Sequence, residues 1–316
     1  MEKEPLLSVI IPVYNSKEYV SAGVKSLLDQ SWKKLQIILV DDGSTDGSSE
    51  ICDEFALTHA QVKCLHQPNR GILLARLAGV KVADGDVIGF IDSDDVIEPD
   101  MFERLLANMA QYDADISHCG YKMVYGDKET LYYGTGKVLV QTRPEGVRDL
   151  LSGRFIEPTA CTKIYKRSLF DGMDFETRID TAEDLMLNFM LFSKSRRAIY
   201  EDITPYHYVR RATSYSKTSK RSRQEKDVDT VMEYMDRFSQ NDPEIRQFVL
   251  NKRAAVCVQR YNRRIKEGRA VCREFRRQMP KDLHSTNRKT EMQLSAIRLI
   301  PDLYDGLYKM RALVKK

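Results

Sequence analysis

The sequence predicts an α/β fold, a mostly parallel sheet flanked by helices, followed by a mainly helical region. Three observations lead there. Over the first 120 residues, short β-branched runs alternate with segments whose apolar residues recur at helical spacing. From about Ser222 onward the apolar stripes are helical throughout. Charge is also divided: residues 1–216 carry 25 Lys+Arg against 33 Asp+Glu, and residues 217–316 carry 25 against 13. An acidic front and a basic rear imply two functional parts, which we divide as 1–215 and 216–316.

The elements follow in order. Leu7–Val13 reads as a buried strand, and Ser16 is placed to cap a helix carrying Val20, Val24, Leu27 and Leu28. Residues 35–40 form a second strand ending in Asp41-Asp42-Gly43-Ser44, and residues 48–59 a second helix. A short strand at 62–65, a turn at Asn69-Arg70-Gly71 and a third helix lead to a strand at 86–91, which ends in Asp92-Ser93-Asp94-Asp95. Strands separated by single helices imply right-handed crossovers and a parallel sheet. Further on, residues 122–140 alternate around a turn at Gly126-Asp127, residues 144–151 and 183–192 read as helices, and the polar stretch 213–223 is the expected linker.

Composition excludes several classes. With 42% hydrophobic and 30% charged residues among 316, the chain has material for a core, yet no run nears the roughly 20 apolar residues of a membrane span. Met1-Glu2-Lys3-Glu4 leads straight into a strand without the pattern of a signal peptide, so a cytoplasmic location is expected. The six cysteines are scattered without a C-x-x-C pair and read as reduced small hydrophobes, not as a disulfide frame or a zinc site.

In open α/β sheets, ligands sit beyond the carboxyl ends of the strands. Three strands here end in Pro12-Val13-Tyr14-Asn15, Asp41-Asp42 and Asp92-Ser93-Asp94-Asp95, so distant residues converge on one edge. Carboxylates at i and i+2 can share a divalent cation and a ligand's hydroxyls, although Asp is also a favoured turn and capping residue. In Asp41-Asp42-Gly43-Ser44, a buried carboxylate just past the strand can accept the imide N–H of a pyrimidine, or the run is simply an Asp-Gly turn, and Tyr14 can stack on a base or pack structurally.

Together, Ser8-Val9-Ile10-Ile11-Pro12-Val13-Tyr14-Asn15, Val40-Asp41-Asp42-Gly43-Ser44-Thr45-Asp46, Asn69-Arg70-Gly71 and Asp92-Ser93-Asp94-Asp95 resemble the family 2 glycosyltransferases. These are inverting, nucleotide-sugar-dependent enzymes of the GT-A fold. The resemblance implies that residues 1–215 are a catalytic domain, that Pro12 and Tyr14 line the base, and that Asp42 reads the uracil. It also implies that Asp92 and Ser93 lie near the ribose and that Asp94 holds Mn²⁺ or Mg²⁺ on the diphosphate of a UDP-sugar. Thr181-Ala182-Glu183-Asp184 resembles the family's later acidic motif, making Asp184 the catalytic base with Glu183 as competitor. Tyr206-His207-Tyr208-Val209-Arg210-Arg211 resembles a segment that closes over the donor, where His207 would reach the metal and Arg210 or Arg211 the phosphates. Cys161-Thr162-Lys163-Ile164-Tyr165 resembles a segment bordering the acceptor. The Gln-x-x-Arg-Trp motif of processive relatives is missing, since the single tryptophan is Trp32, and one sugar per encounter is expected.

The expected acceptor is a glycan or a lipid-linked glycan. For the basic rear, three readings stand. It lies on the inner face of an anionic membrane through Leu294, Ile297, Ile300, Leu303, Tyr304, Leu307 and Tyr308, it packs on the catalytic domain or a second subunit, or, least favoured, it binds nucleic acid. Two other functions compete: a nucleotidyltransferase, which lacks its Gly-rich basic loop here, and a non-catalytic sugar-nucleotide-binding module.

Overall fold

The computed structural model describes residues 4–125, 128–131, 134–209 and 221–314. The chain divides into two compact units, residues 1–231 and 232–316.

The first unit is built on one mixed sheet. Its leading half holds β1 (Leu7–Val13), β2 (Leu35–Asp41), β3 (Val62–His66) and β4 (Val87–Phe90), with α1 (Val20–Leu28), α2 (Ser48–Thr58) and α3 (Ile72–Lys81) as crossovers. All pairings in this half are parallel, in the order β3-β2-β1-β4. Every residue of β1 and β2 is buried, as strands covered on both faces require. The polar interruption in β2, Gln36, is satisfied: it accepts from Ser8 Oγ and donates to Asp84 at 2.7 Å.

Beyond β4 come β5 (Val96–Ile97), α4 (Met101–Gln111), β6 (Ile116–Tyr125), β7 (Lys128–Leu131), β8 (Val138–Thr142), α5 (Arg143–Ser152), β9 (Lys163–Lys166), α6 (Glu183–Lys194) and β10 (Arg197–Val209). The sheet continues β4-β9-β6-β10-β5, with β9 antiparallel to both neighbours and β10 parallel to β6. β6 and β7 pair antiparallel, while the expected turn residues Gly126 and Asp127 lie outside the described residues, as does most of the expected linker. The strand order reverses at β1, whose neighbours are β2 and β4, so a crevice opens between their carboxyl ends.

One local expectation is corrected. Ser16 does not cap α1; Tyr19 stands at the N-cap, and the Ser16 hydroxyl instead meets Ser93 Oγ at 2.7 Å. A turn intervenes, closed by the Tyr19 N–H on the Ser16 carbonyl, so the side chain is free to tie the end of β1 to the acidic loop.

Helix α7 (Arg221–Phe238) crosses the division between the units. The second unit then contains α8 (Pro243–Arg264), α9 (Arg269–Gln278), α10 (Arg288–Leu299) and α11 (Pro301–Val314). Asp242 and Asn287 cap α8 and α10 by accepting the Ile245 and Thr290 amides. Val258, Tyr261, Ile265, Cys272, Leu294 and Ile297 share its core. The apolar set expected at a membrane therefore splits. Leu294 and Ile297 are core residues with Tyr304 and Tyr308 packed on them, whereas Ile300, Leu303 and Leu307 are exposed, joined by Leu299 and Met310. No helix among the described residues is long and apolar enough to cross a membrane.

Candidate active site

Helix α3 organises the site. A Cβ on Gly79 would sit 2.5 Å from Ile10 Cγ2, so only glycine lets α3 lie this close to β1. Arg76, one turn earlier on the same face, is thereby carried to the carboxyl edge of the sheet. Its side chain is only 1% exposed, with the guanidinium 5.9 Å above the Phe90 ring. One terminal nitrogen donates to Asp92 Oδ1 at 2.7 Å and the other to Asp184 Oδ1. A single guanidinium thus joins the loop after β4 to the start of α6, two segments 92 residues apart.

Asp184 is recessed, with 23% of its side chain exposed. Burial raises its pKa above the ordinary aspartate value; Arg76 opposes that rise and Asp92 adds to it. Glu183 beside it is also raised, by burial and then by the charge on Asp184. The helix start is fixed from below: Asn188 donates to the Asp184 and Pro158 carbonyls and accepts from Tyr165 Oη. Ala182, just before the helix, holds a left-handed φ of 64° at the N-cap of α6.

In the acidic loop, Asp92 and Asp95 have fixed partners. Asp95 is buried, and it accepts from Tyr206 Oη at 2.6 Å and from the Val209 amide at 2.8 Å. Burial and the adjacent Asp92 and Asp94 raise its pKa. Asp94 is half-buried at the loop's turn. Ser93 is buried against Ser16.

Asp42 is buried beneath the turn before α3. Its Oδ1 accepts from Gln67 Nε2 and the Arg70 amide, and its Oδ2 from the Gly71 amide at 2.8 Å. A carboxylate oxygen accepts about two hydrogen bonds, so Oδ2 retains one acceptor direction. Asp41 points elsewhere, to Ser44, Ser49 and His66; burial would raise its pKa, but these hydrogen bonds hold it below the usual range. Gly71 has φ +91°, and the loop of residues 178–180 closes on it, with Arg178 donating to Asn69 Oδ1 at 2.7 Å. Arg223 and the Asp227 carboxylate of α7 hold Asp180 in that loop.

Pro12 is buried within β1, two residues past the last β1–β4 pair, where a missing N–H breaks no ladder bond to β4. Tyr14, just beyond, is 51% exposed over the crevice end of β1. His207 lies on the opposite side of β10 from Tyr206, and its Nε2 meets Glu98 Oε1 at 3.1 Å beside Lys122. Arg210 and Arg211 lie outside the described residues. The segment expected to border the acceptor is fully buried: β9 sits inside the sheet, and Lys163 Nζ donates to the Glu157 and Thr159 carbonyls. Its burial depresses the Lys163 pKa to about 8.

Residues 42, 76, 92 and 184 therefore form one connected rim, through the 69–71 turn, helix α3 and the Arg76 bridge. Arg76 itself was not singled out by the sequence. The available signal was a charged residue between Leu73, Leu74, Ala75 and Leu77, all of them buried.

A parallel half-sheet with carboxylates gathered beyond its switch point is a ligand crevice of the doubly wound α/β class. The family model for glycosyl transferase family 2 matches residues 8–173. The chain belongs to this family. It is 34% identical over 226 residues to the glycosyltransferase GlyG of Streptococcus pneumoniae, covering 67% of this chain and 73% of that protein. It is 35% identical over 212 residues to the uncharacterized glycosyltransferase EpsJ of Bacillus subtilis, covering 65% and 61%. A crystal structure of S. aureus TarS 1-349 in complex with UDP-GlcNAc shares the fold, with a TM-score of 0.74 at 19% identity over 97% of this chain and 91% of that one.

Proposed function

We propose that the protein moves a single sugar from a UDP-sugar to a hydroxyl of a glycan or lipid-linked acceptor with inversion, and that Asp184 is the general base. The observation that carries this reading is the buried Arg76 bridge, which places a carboxylate of raised pKa beside the loop that follows β4. In a single displacement the acceptor hydroxyl loses its proton as it attacks the anomeric carbon. A carboxylate within about 3 Å that takes this proton contributes roughly 10²–10⁴-fold. Burial makes Asp184 a stronger base than an exposed aspartate, while Arg76 limits the rise and fixes the carboxylate's orientation.

Donor binding follows from the same rim. The remaining acceptor direction of Asp42 Oδ2 suits a uracil imide N–H, and the exposed Tyr14 ring offers a stacking face above Pro12. Asp92, held by Arg76, and Ser93, held by Ser16, present the ribose side. Among the described residues the acidic loop does not gather three protein ligand atoms at metal distance. The half-buried Asp92 and Asp94 carboxylates of that loop suit Mg²⁺ or Mn²⁺, which take one or two carboxylates and complete their shell with phosphate oxygens and water. Asp94 would hold the ion, whose chemistry is to neutralise the departing diphosphate. The UDP-GlcNAc and UDP complexes of TarS support uridine as the base and make UDP-N-acetylglucosamine the first donor to try. In the basic second unit, exposed Ile300, Leu303 and Leu307 support peripheral contact with an anionic membrane that carries the acceptor.

The test is UDP release from UDP-N-acetylglucosamine, UDP-glucose and UDP-galactose with Mn²⁺ and an acceptor panel, with the product's anomeric configuration read by NMR. Metal-dependent release with one donor and an inverted product is expected. Pyrophosphate release from UTP, or donor binding without turnover, would overturn the proposal.

A further inference from the structure

A second group of ligating side chains lies at the far edge of the sheet, away from the rim just described. β3 is the edge strand, and Cys64 and His66, two residues apart on it, share one face. Asp53 of α2 faces them. Cys64 Sγ lies 3.4 Å and Asp53 Oδ1 2.9 Å from His66 Nε2, and all three ligand atoms lie within 4.8 Å of one another. His66 Nδ1 meets the buried Asp41 carboxylate at 3.0 Å, which turns Nε2 toward the other two groups. Behind them, the Cys52 thiol is fully buried in α2.

We propose that Asp53, Cys64 and His66 form a zinc site, with Asp41 as the carboxylate that orients the histidine and water as the fourth ligand. Zinc takes thiolate sulfur at about 2.3 Å and imidazole nitrogen or carboxylate oxygen at about 2.0–2.2 Å, so a tetrahedral site needs N···S near 3.6 Å and N···O near 3.4 Å. The pair distances found are short of these by a few tenths of an ångström. That movement lies within reach of Asp53, which is on the exposed side of α2. Metal-bound histidines commonly give their second ring nitrogen to a carboxylate, the part Asp41 plays. A mixed sulfur, nitrogen and oxygen set selects zinc over the hard ions that suit the acidic loop. The bound ion would tie the sheet edge to α2 and hold the carboxylate of the residue next to Asp42. The cysteine spacing could not show this, because the ligands come from a strand and a helix and not from a C-x-x-C turn.

The experiment is a zinc titration of the full chain against a chromophoric chelator, with cobalt substitution as the spectroscopic readout. One zinc per chain is expected, with a thiolate-to-cobalt band in the near ultraviolet. Cys64→Ser should abolish the band. Asp41→Asn should weaken zinc binding by about 10–100-fold, and His66→Gln by at least as much. Asp94→Asn should leave zinc binding unchanged, which separates this site from the catalytic loop. Failure of the unmodified protein to bind zinc stoichiometrically, a cobalt spectrum without a thiolate band, or loss of zinc in Asp94→Asn would each overturn the proposal.

Discussion

Replacing Arg76 by methionine keeps the aliphatic volume over Phe90 and removes only the charge that joins Asp92 to Asp184. Removing one partner of a buried ion pair costs about 3–5 kcal/mol, because the other charge is left without compensation. Both carboxylates keep about a quarter of their exposure, 26% for Asp92 and 23% for Asp184, so water and protons recover part of that loss. The expected cost at neutral pH is therefore near the lower end, about 3 kcal/mol, or roughly 6–12 °C in Tm. Its pH dependence carries a definite sign. Asp184 already has a folded pKa above its unfolded value, so ionising it opposes folding, and stability is lost as pH rises from the unfolded pKa through the folded one. Without Arg76 the folded value climbs further and the loss extends toward neutrality. Urea unfolding of wild type and Arg76→Met should therefore differ most at pH 7.5, with the gap narrowing at pH 5. A difference below about 1 kcal/mol at pH 7.5, or one that does not change with pH, would refute the reasoning. In the same variant, the acid limb of the transfer rate should move to higher pH.

Asp94→Asn should reduce UDP affinity in Mn²⁺ to the level measured with EDTA; titration calorimetry with and without metal reads this, and a retained Mn²⁺ effect would move the ion elsewhere. Gly71→Ala should cost about 1–3 kcal/mol in urea unfolding and weaken UDP binding, since the backbone there is a glycine conformation. The added Cβ would also lie 3.2 Å from Arg178 Cγ and Asp180 Oδ1, on the residue whose amide holds Asp42. Tyr14→Ala should lower UDP affinity by about 0.5–1.5 kcal/mol of stacking, with unfolding unchanged because the ring is half exposed.

The leading half of the fold was legible because each βα unit is local: a short strand, a turn and a helix follow one another in the chain. Beyond Asp95 the pattern thins for a physical reason. β9 is four residues long and owes its place to antiparallel partners, β4 and β6, that are distant in sequence. Neighbouring polar residues were separated only by structure. Asp42 turns to the 67–71 turn, while Asp41 turns to His66. Tyr206 faces the acidic loop, while His207 faces Glu98. Arg76 reads as a helical residue until its two partners are known, and both lie outside its own helix. In the second unit, helical spacing marked Leu294 and Leu307 alike, and only packing divided them into core and surface.

Whether Asp184 takes the acceptor's proton is decided by paired measurements on Asp184→Asn: UDP affinity in Mn²⁺, and single-turnover transfer from the preferred donor. The asparagine keeps the shape and an oxygen for Arg76, so UDP should bind within a few-fold of wild type while transfer falls by roughly 10²–10⁴. Transfer that survives near the wild-type rate, with UDP still bound, would mean that another group removes the proton.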